Sequence, residues 1–229
     1  MLDRLFLGFD NLIILDTETT GINCKTDEVI ELGALRVRCC PDGSLVTDRE
    51  ENLLIRLSTG RVLPPEITRL TGITAQDLED AGVEKDLAGQ RLAELLDCSR
   101  PLVAAYNAQF DLCFLYYFLR RLGLAEALQG ARFLDVLTIY KDRQPYPHRL
   151  SNAIAAYGLQ EENSHRALGD VRATLALLLA MEAERDDLDR YLNCFGYNPR
   201  YGVSGPRISS ITYLPQPYDA KEPLYHRLP

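Results

Sequence analysis

The chain has 229 residues, 46% hydrophobic and 25% charged, with a formal net charge of −8, which is the profile of one substantial folded domain with room for an appendage. No run approaches the roughly 18 consecutive apolar residues of a membrane span, and residues 1–10 are too short and too charged for a secretory signal, so a cytoplasmic setting is expected. The acidic balance argues against an extended basic surface that coats nucleic acid, but not against acidic groups that hold cations.

Asn11-Leu12-Ile13-Ile14-Leu15-Asp16 is a short apolar run with the length of a buried strand. Residues 28–38 are β-rich and largely alternating. Pro41-Asp42-Gly43-Ser44 then supplies turn chemistry, and residues 45–57 follow as an antiparallel partner. Pro64-Pro65-Glu66-Ile67 opens a short helix, and Thr74 caps another. Apolar spacing at Leu87, Leu92, Leu95 and Leu96 marks a helix that ends before Pro101. Residues 101–106 read as a second buried strand, and 108–122 as a helix stopped at Gly123. Residues 133–136 form a short strand leading into a helix to 141, and helices at 150–157 and 167–185 follow. Hairpins first, then alternating helices and strands, predict an α/β mixed sheet with helices on its faces.

From residue 195 onward, Pro199, Pro206, Pro215, Pro217, Pro223 and Pro229 break all periodicity, with Tyr197, Tyr201, Tyr213, Tyr218 and Tyr225 between them. The expected organisation is therefore a domain at 1–186 and an extension at 187–229. That extension lies outside the core, and its aromatics fit it for docking on the core or on a partner. The six cysteines (Cys24, Cys39, Cys40, Cys98, Cys113, Cys194) lack metal-ligand spacing and read as reduced thiols.

Asp16 and Glu18 end the first strand two positions apart, so strand periodicity projects both carboxylates on one face. Two anions side by side on an apolar strand repel, and desolvation raises the cost; a shared proton or a cation resolves the conflict. Taken alone, Asp-x-Glu at a strand end is more often an exposed acid pair than a site. Asp111 lies where the helix at 108–122 opens, where a carboxylate is equally at home as a helix-start residue. His165, one of three histidines, precedes the last long helix, with Asp170 in its early turns.

Three motifs, in order, carry a resemblance. Asp16-Thr17-Glu18-Thr19-Thr20-Gly21, then Tyr106-Asn107-Ala108-Gln109-Phe110-Asp111, then His165-Arg166-Ala167-Leu168-Gly169-Asp170 resemble the motifs of the DEDD superfamily of 3′–5′ exonucleases. The histidine places the likeness in its DEDDh (DnaQ-like) branch, which includes the proofreading epsilon subunit and PolC-type exonuclease domain of bacterial DNA polymerase III. The resemblance runs from about residue 11 to 185 and implies a ribonuclease H-like fold with a five-stranded mixed sheet flanked by helices. It implies catalytic roles for Asp16, Glu18, Asp111, His165 and Asp170. It implies that the four acids hold two Mg²⁺ or Mn²⁺ ions, with Asp16 bridging them and Asp111 acting in part through water, and that His165 serves as general base. Hard divalent cations suit such oxygen donors, and two ions about 3.5–4 Å apart stabilise the attacking and leaving oxygens of an in-line displacement. An imidazole with an ordinary pKa near 6.5 suits the proton.

The resemblance further implies substrate contacts at Thr17, Thr19, Leu70, Tyr106, Asn107 and Phe110, with Leu70 and Phe110 wedging a terminal base unless they are core residues. Tyr106 stands where many relatives have histidine. The expected partner is a nucleic-acid 3′ end, DNA ahead of RNA, with an exoribonuclease of the same fold as the runner-up because nothing in the motifs separates the two sugars; a separate DNA polymerase or other replication or repair protein is a further candidate, and no membrane is expected. A catalytically silent binding module acting through its Pro/Tyr tail is the reading from another class; the complete set of five argues against it.

Overall fold

Apolar side chains on both faces of the first long strand set the layering. In β1 (Asn11–Thr19), Leu12 and Ile14 enter one buried cluster while Ile13 and Leu15 enter another. A strand buried on both faces has to be central, with a helical layer on each side. The computed structural model, which describes residues 2–160, 166–217 and 221–229, has that arrangement. β2 (Val29–Cys39) and β3 (Leu45–Leu54) form the antiparallel half of the sheet, and β4 (Pro101–Ala105) and β5 (Arg132–Asp135) the parallel half, in the order β3-β2-β1-β4-β5. This is the ribonuclease H-like mixed sheet expected from the sequence.

α1 (Asp3–Gly8), α6 (Val136–Arg143), α7 (Leu150–Ala156) and α8 (Ala167–Glu184) pack on the Leu12/Ile14 face. α4 (Lys85–Leu96) and α5 (Ala108–Arg121) cover the other. Between β3 and α4, α2 (Pro65–Thr71) starts on proline, whose missing N–H is no loss at a helix start. α3 (Ala75–Asp80) is closed by a reciprocal pair: Asp77 N–H donates to Thr74 Oγ1 at 3.1 Å, and Thr74 N–H to Asp77 Oδ2 at 2.8 Å. Gly123, at φ 74°, takes the left-handed turn that stops α5. Among the described residues no helix is long and apolar enough to cross a membrane, and all six cysteines are free thiols.

Residues 187–217 and 221–227 lie against the main body. β6 (Cys194–Tyr197) and β7 (Thr212–Pro215) run parallel beside the β5 edge, where Asn193 N–H donates to Phe133 O (2.8 Å) and Phe133 N–H to Asn193 Oδ1 (2.7 Å). An otherwise open sheet edge is thereby covered. Tyr191, Cys194 and Leu224 join one cluster and Phe195 and Ile211 the other, so part of the segment read as non-core contributes to the core. Asp142 Oδ2 accepts from Tyr191 OH (2.8 Å) and Leu224 N–H (2.7 Å), and Gln216 Nε2 donates to Thr138 O (2.6 Å). Proline spacing hid these short elements, because their pairing depends on contacts with β5 and α6 rather than on any period of their own.

One close approach fixes the position of α8. The backbone of Ala167 and Leu168 rests on Gly33 of β2, where an added Cβ would overlap main-chain atoms. Only glycine admits such proximity. Gly33→Ala should lower the melting temperature by roughly 2–10 °C, the consequence of an overpacking penalty of about 1–3 kcal/mol in a chain of this size. A thermal melt within about 1 °C of wild type would show that this seat is not tight.

Candidate active site

At the carboxyl end of β1 the strand's two faces cease to be apolar. Asp16 and Glu18 continue the Leu12/Ile14 face, toward α8; Thr17 and Thr19 continue the Ile13/Leu15 face, toward α5. The register of β1 against β2 shifts between Glu18 and Thr19, a local irregularity that re-aims side chains at a strand end. Gly33 pairs with Asp16 across the two strands, so the first turn of α8, seated on Gly33, carries Asp170 to the acids of β1. Ligand oxygens of Asp16, Glu18 and Asp170 all lie within 4.8 Å of one another.

Asp111 approaches from the other helical layer. It sits in the first turn of α5 and is 2% exposed. Its Oδ1 accepts from both Thr17 N–H (2.9 Å) and Thr17 Oγ1 (2.8 Å). Thr17, for which the resemblance implied a substrate contact, uses its hydroxyl and amide to aim a carboxylate. Asp111 is outside the close trio, yet its charge acts on both Asp16 and Glu18.

The electrostatics are those of anions held together against repulsion. Burial, followed by the charges of Asp111, Glu18, Asp170 and Glu31, pushes the Asp16 carboxyl well above the usual carboxylate range. Burial and the charges of Asp170, Glu31 and Asp111 push Glu18 up to about 8, with Arg166 opposing. Burial pushes Asp111 up to about 7, against the two bonds from Thr17. Clustering of this kind has a protonated or a cation-bound resolution.

Two residues that sequence reasoning passed over organise the cluster. Glu31, 1% exposed and opposite Glu18, accepts from Arg166 Nε (3.0 Å) and Nη2 (2.8 Å) and from Ala167 N–H (2.9 Å). It thereby satisfies the start of α8 and keeps one basic group beside the acids. Together with Gly33 it interrupts the apolar side chains of β2, and a buried acid and a glycine in such a strand were the signals available.

The remaining predicted contacts are spread around this centre. Thr19 Oγ1 donates to Gly21 O at 2.6 Å and is buried. Leu70, at the end of α2, is 53% exposed, so it is not a core residue. Phe110 is half-buried, its ring centroid 4.8 Å from that of Phe114. Tyr106 OH donates to His148 O at 2.9 Å. Asn107 precedes α5 in the left-handed conformation, φ 72°, which asparagine tolerates better than most residues. His165 lies outside the described residues.

The donor set of the trio is all carboxylate oxygen, drawn within reach of a single ion. That fits a hard divalent cation such as Mg²⁺ or Mn²⁺ and does not suit a thiolate- or imidazole-selected metal.

Comparison with known proteins agrees with this geometry. The family model described as Exonuclease, of the RNase T type, matches residues 13–178. The DNA polymerase III PolC-type protein of Thermotoga petrophila is 30% identical over 176 residues, covering 75% of this chain and 12% of the polymerase. Ribonuclease T of Histophilus somni is 31% identical over 121 residues, covering 50% of this chain and 55% of that protein. The chain thus spans only about an eighth of the length of the PolC-type relatives it matches. Among solved structures, E. coli Exonuclease I in complex with a dT13 oligonucleotide superposes with a TM-score of 0.70 at 19% identity, over 80% of this chain and 43% of that one. Exonuclease I from Methylocaldum szegediense gives 0.69 at 22% identity, over 80% and 42%. Both show the shared fold. With the family model covering most of the sheet and both helical layers, this chain belongs to the RNase T-type exonuclease family, within the DnaQ-like 3′–5′ exonucleases.

Proposed function

We propose that this protein is a metal-dependent exonuclease that removes nucleoside 5′-monophosphates one at a time from the 3′ end of DNA. The observation that carries the reading is the convergence of Asp16, Glu18 and Asp170 at one strand end, with Asp111 held beside them by Thr17. Residues 1–186 are the catalytic domain in this reading, and 187–229 an extension docked upon it. Free thiols and a carboxylate site suit a cytoplasmic setting. The likeness to PolC-type polymerases makes a DNA polymerase, or another replication or repair protein, the natural partner.

Asp16, Glu18, Asp111 and Asp170 would hold two Mg²⁺ or Mn²⁺ ions, which when bound offset the negative charge that develops on the phosphate and its entering and leaving oxygens. The chain's own residues do the rest. Thr17 fixes the rotamer of Asp111, and Glu31 with Gly33 fixes the first turn of α8, so Asp170 meets the β1 acids without rearrangement. His165, five positions before Asp170 in the sequence, takes the proton from the attacking water onto its imidazole nitrogen. The new bond joins that water oxygen to phosphorus, the bond to the 3′ oxygen of the preceding nucleotide breaks, and that oxygen takes a proton from solvent, so the shortened strand leaves with a 3′ hydroxyl. Thr19, Leu70, Tyr106, Asn107 and Phe110 surround the terminal nucleotide, the exposed Leu70 and half-buried Phe110 meeting its base.

The similarity to Ribonuclease T over half of the chain supports a second reading, trimming of RNA 3′ ends by the same chemistry. The acids cannot separate the two, since the contact to a 2′ hydroxyl is local to the sugar.

Incubating matched 5′-labelled DNA and RNA single strands with Mn²⁺ should give a ladder shortening from the 3′ end, with mononucleotide products and faster decay of DNA. Asp16→Asn should abolish it, and His165→Ala should slow it by about 10²–10⁴-fold. Faster decay of RNA would transfer the assignment to the second reading. Equal, negligible cleavage by wild type and Asp16→Asn would remove the enzymatic reading altogether.

Thr17→Val keeps the shape of the side chain but removes the hydroxyl that donates to Asp111. Turnover should fall by about 10–100-fold, the usual cost of losing a group that orients a metal ligand, and the melting temperature should stay close to that of wild type. Turnover equal to wild type would show that Asp111 needs no such support.

Glu18 titrates near 8 in the fold against an ordinary value of 4.5. The folded protein therefore binds its proton more tightly than the unfolded chain. The associated stability is complete below about pH 4.5 and is lost as pH rises through about 8. Calorimetry in EDTA should show a melting temperature that falls between pH 5 and 8, a flatter profile for Glu18→Gln, and recovery on adding Mg²⁺ at pH 8. A metal-free melting temperature that rises across this interval would contradict the cluster's electrostatics.

A further inference from the structure

The loop between β6 and β7 forms a second surface at the end of the sheet that carries the acids. Gln109, two residues before Asp111 on α5, fastens this loop. Its Nε2 donates to Ser204 O (3.0 Å) and Pro206 O (2.7 Å), and its Oε1 accepts from Tyr213 OH (2.5 Å). Tyr213 OH in turn accepts from Ile208 N–H at 2.9 Å. The loop therefore shares a rigid base with the helix turn that carries Asp111. Between them lies a cavity of about 220 Å³, lined by Asn107, Gln109, Lys141, Tyr197, Tyr201 and Tyr213 among others. It opens at the carboxyl ends of β4 and β5, the same sheet edge at which β1 presents Asp16 and Glu18.

Its rim combines aromatic faces with cations. Tyr201 is 75% exposed, with the Arg200 guanidinium 5.5 Å from its ring centroid. Arg207 is exposed and lies 5.9 Å from the ring of Tyr197 and 4.9 Å from that of Tyr213. Neither arginine is paired with a carboxylate among the described residues, in a chain whose net charge is −8. Among the described residues, the one acid lining the cavity, Asp135, is buried, and Ala108 N–H and the Thr138 hydroxyl donate to it. One exposed ring and two half-buried ones, interleaved with arginines that have no carboxylate partner among the described residues, are the components of a single-strand platform, in which bases stack on the rings and phosphates meet the cations.

We propose that the 197–207 loop is a holding surface for single-stranded nucleic acid, gripping nucleotides upstream of the 3′ end whose terminal unit occupies the carboxylate site. Bases stack on Tyr201 and Tyr197, and phosphates pair with Arg200, Arg207 and Lys141. Recognition is tolerant of sequence, because each base offers a ring face. The origin of the strand rests on the exonuclease reading; the binding itself does not require turnover.

The test uses the full chain with Ca²⁺ in place of Mg²⁺ or Mn²⁺, so that binding is read by fluorescence anisotropy of a labelled 16-mer DNA strand without requiring cleavage. Tyr201→Ala should weaken binding by about tenfold, the lower part of the range for loss of one base–ring stack. The double variant Arg200→Ala/Arg207→Ala should reduce the slope of log affinity against log salt by about 1.4, at roughly 0.7 for each phosphate contact of a single strand. In Mn²⁺, the preference of wild type for the 16-mer over a trimer, read as the ratio of kcat/KM values, should fall about tenfold in either variant. Circular dichroism melts matching wild type establish that these exposed substitutions leave the fold intact. Undiminished 16-mer binding, or an equal loss of turnover on trimer and 16-mer, overturns the proposal. Binding that depends on Tyr201 and the arginines, in a wild type that cleaves neither DNA nor RNA, would support the platform while removing the exonuclease reading.

Discussion

The seat of α8 on Gly33 is the contact on which the site depends. β1 supplies two acids on one face because its period is two, but a strand alone cannot enclose an ion. A third oxygen donor has to come from another layer, and helices ordinarily pack onto a sheet across a thickness of side chains. At Gly33 that thickness vanishes, and the backbone of Ala167 and Leu168 reaches the backbone of β2. Since Gly33 is paired with Asp16, the missing side chain and the present carboxylate are neighbours. Glu31 completes the junction by accepting from the first amide of α8 and from Arg166, so the amide of Ala167 keeps a partner at the close approach.

Holding acids so close costs stability that the apolar layers must offset. The pKa values of Asp16, Glu18 and Asp111 are all displaced upward, and in each case burial is the first cause. No structural advantage comes from burying like charges together. A fold that nonetheless does so, with both clusters of its core converging on the same strand end, is strained in the direction that cation binding relieves. The arrangement also divides the labour between layers. The face toward α8 supplies the trio, while the face toward α5 supplies Asp111 through Thr17. Each layer can thus be packed independently, and the site forms where they meet.

Much of this was legible in the sequence, for physical reasons that differ by residue. The apolar run 11–15 announced a central strand, and the acids that follow it gained meaning from their period. Asp111 and Asp170 were legible as helix-start acids, and their motif order bound them to the first pair. Thr17's bond to Asp111 was not legible, because it spans 94 positions and looks in sequence like a contact for something else. Gly33 was not legible either: a glycine within a strand reads as a weakness until the helix that lies on it is known. α1 and the β6–β7 pair escaped for a related reason. Asp3–Gly8 is only six residues long, and it is held by Leu2 and Leu5 in the core, while β6 and β7 are four residues each and exist because β5 offers them an edge. Short elements take their structure from their neighbours, so no window of local sequence contains the cause.

The same dependence explains how an irregular extension can be an ordered part of the molecule. Its anchors are buried and specific: Asp142 is shared between Tyr191 and Leu224, Asp187 between Arg143 and Tyr225, and Gln216 is turned into the main body toward Thr138. Between these anchors the chain is free to present what the core cannot, namely large rings and cations at the surface. The core's own edge near the acids is negative, and a polyanion approaching it would be repelled until cations were bound. A loop that carries Arg200 and Arg207 to the same end of the sheet adds positive charge there without adding a charge to the carboxylate cluster itself. Gln109 then links the two, since the side chain that pins this loop belongs to the helix turn that positions Asp111. Proline and tyrosine in the extension are thus compatible with order because the pairing that order requires is supplied by β5, α5 and α6.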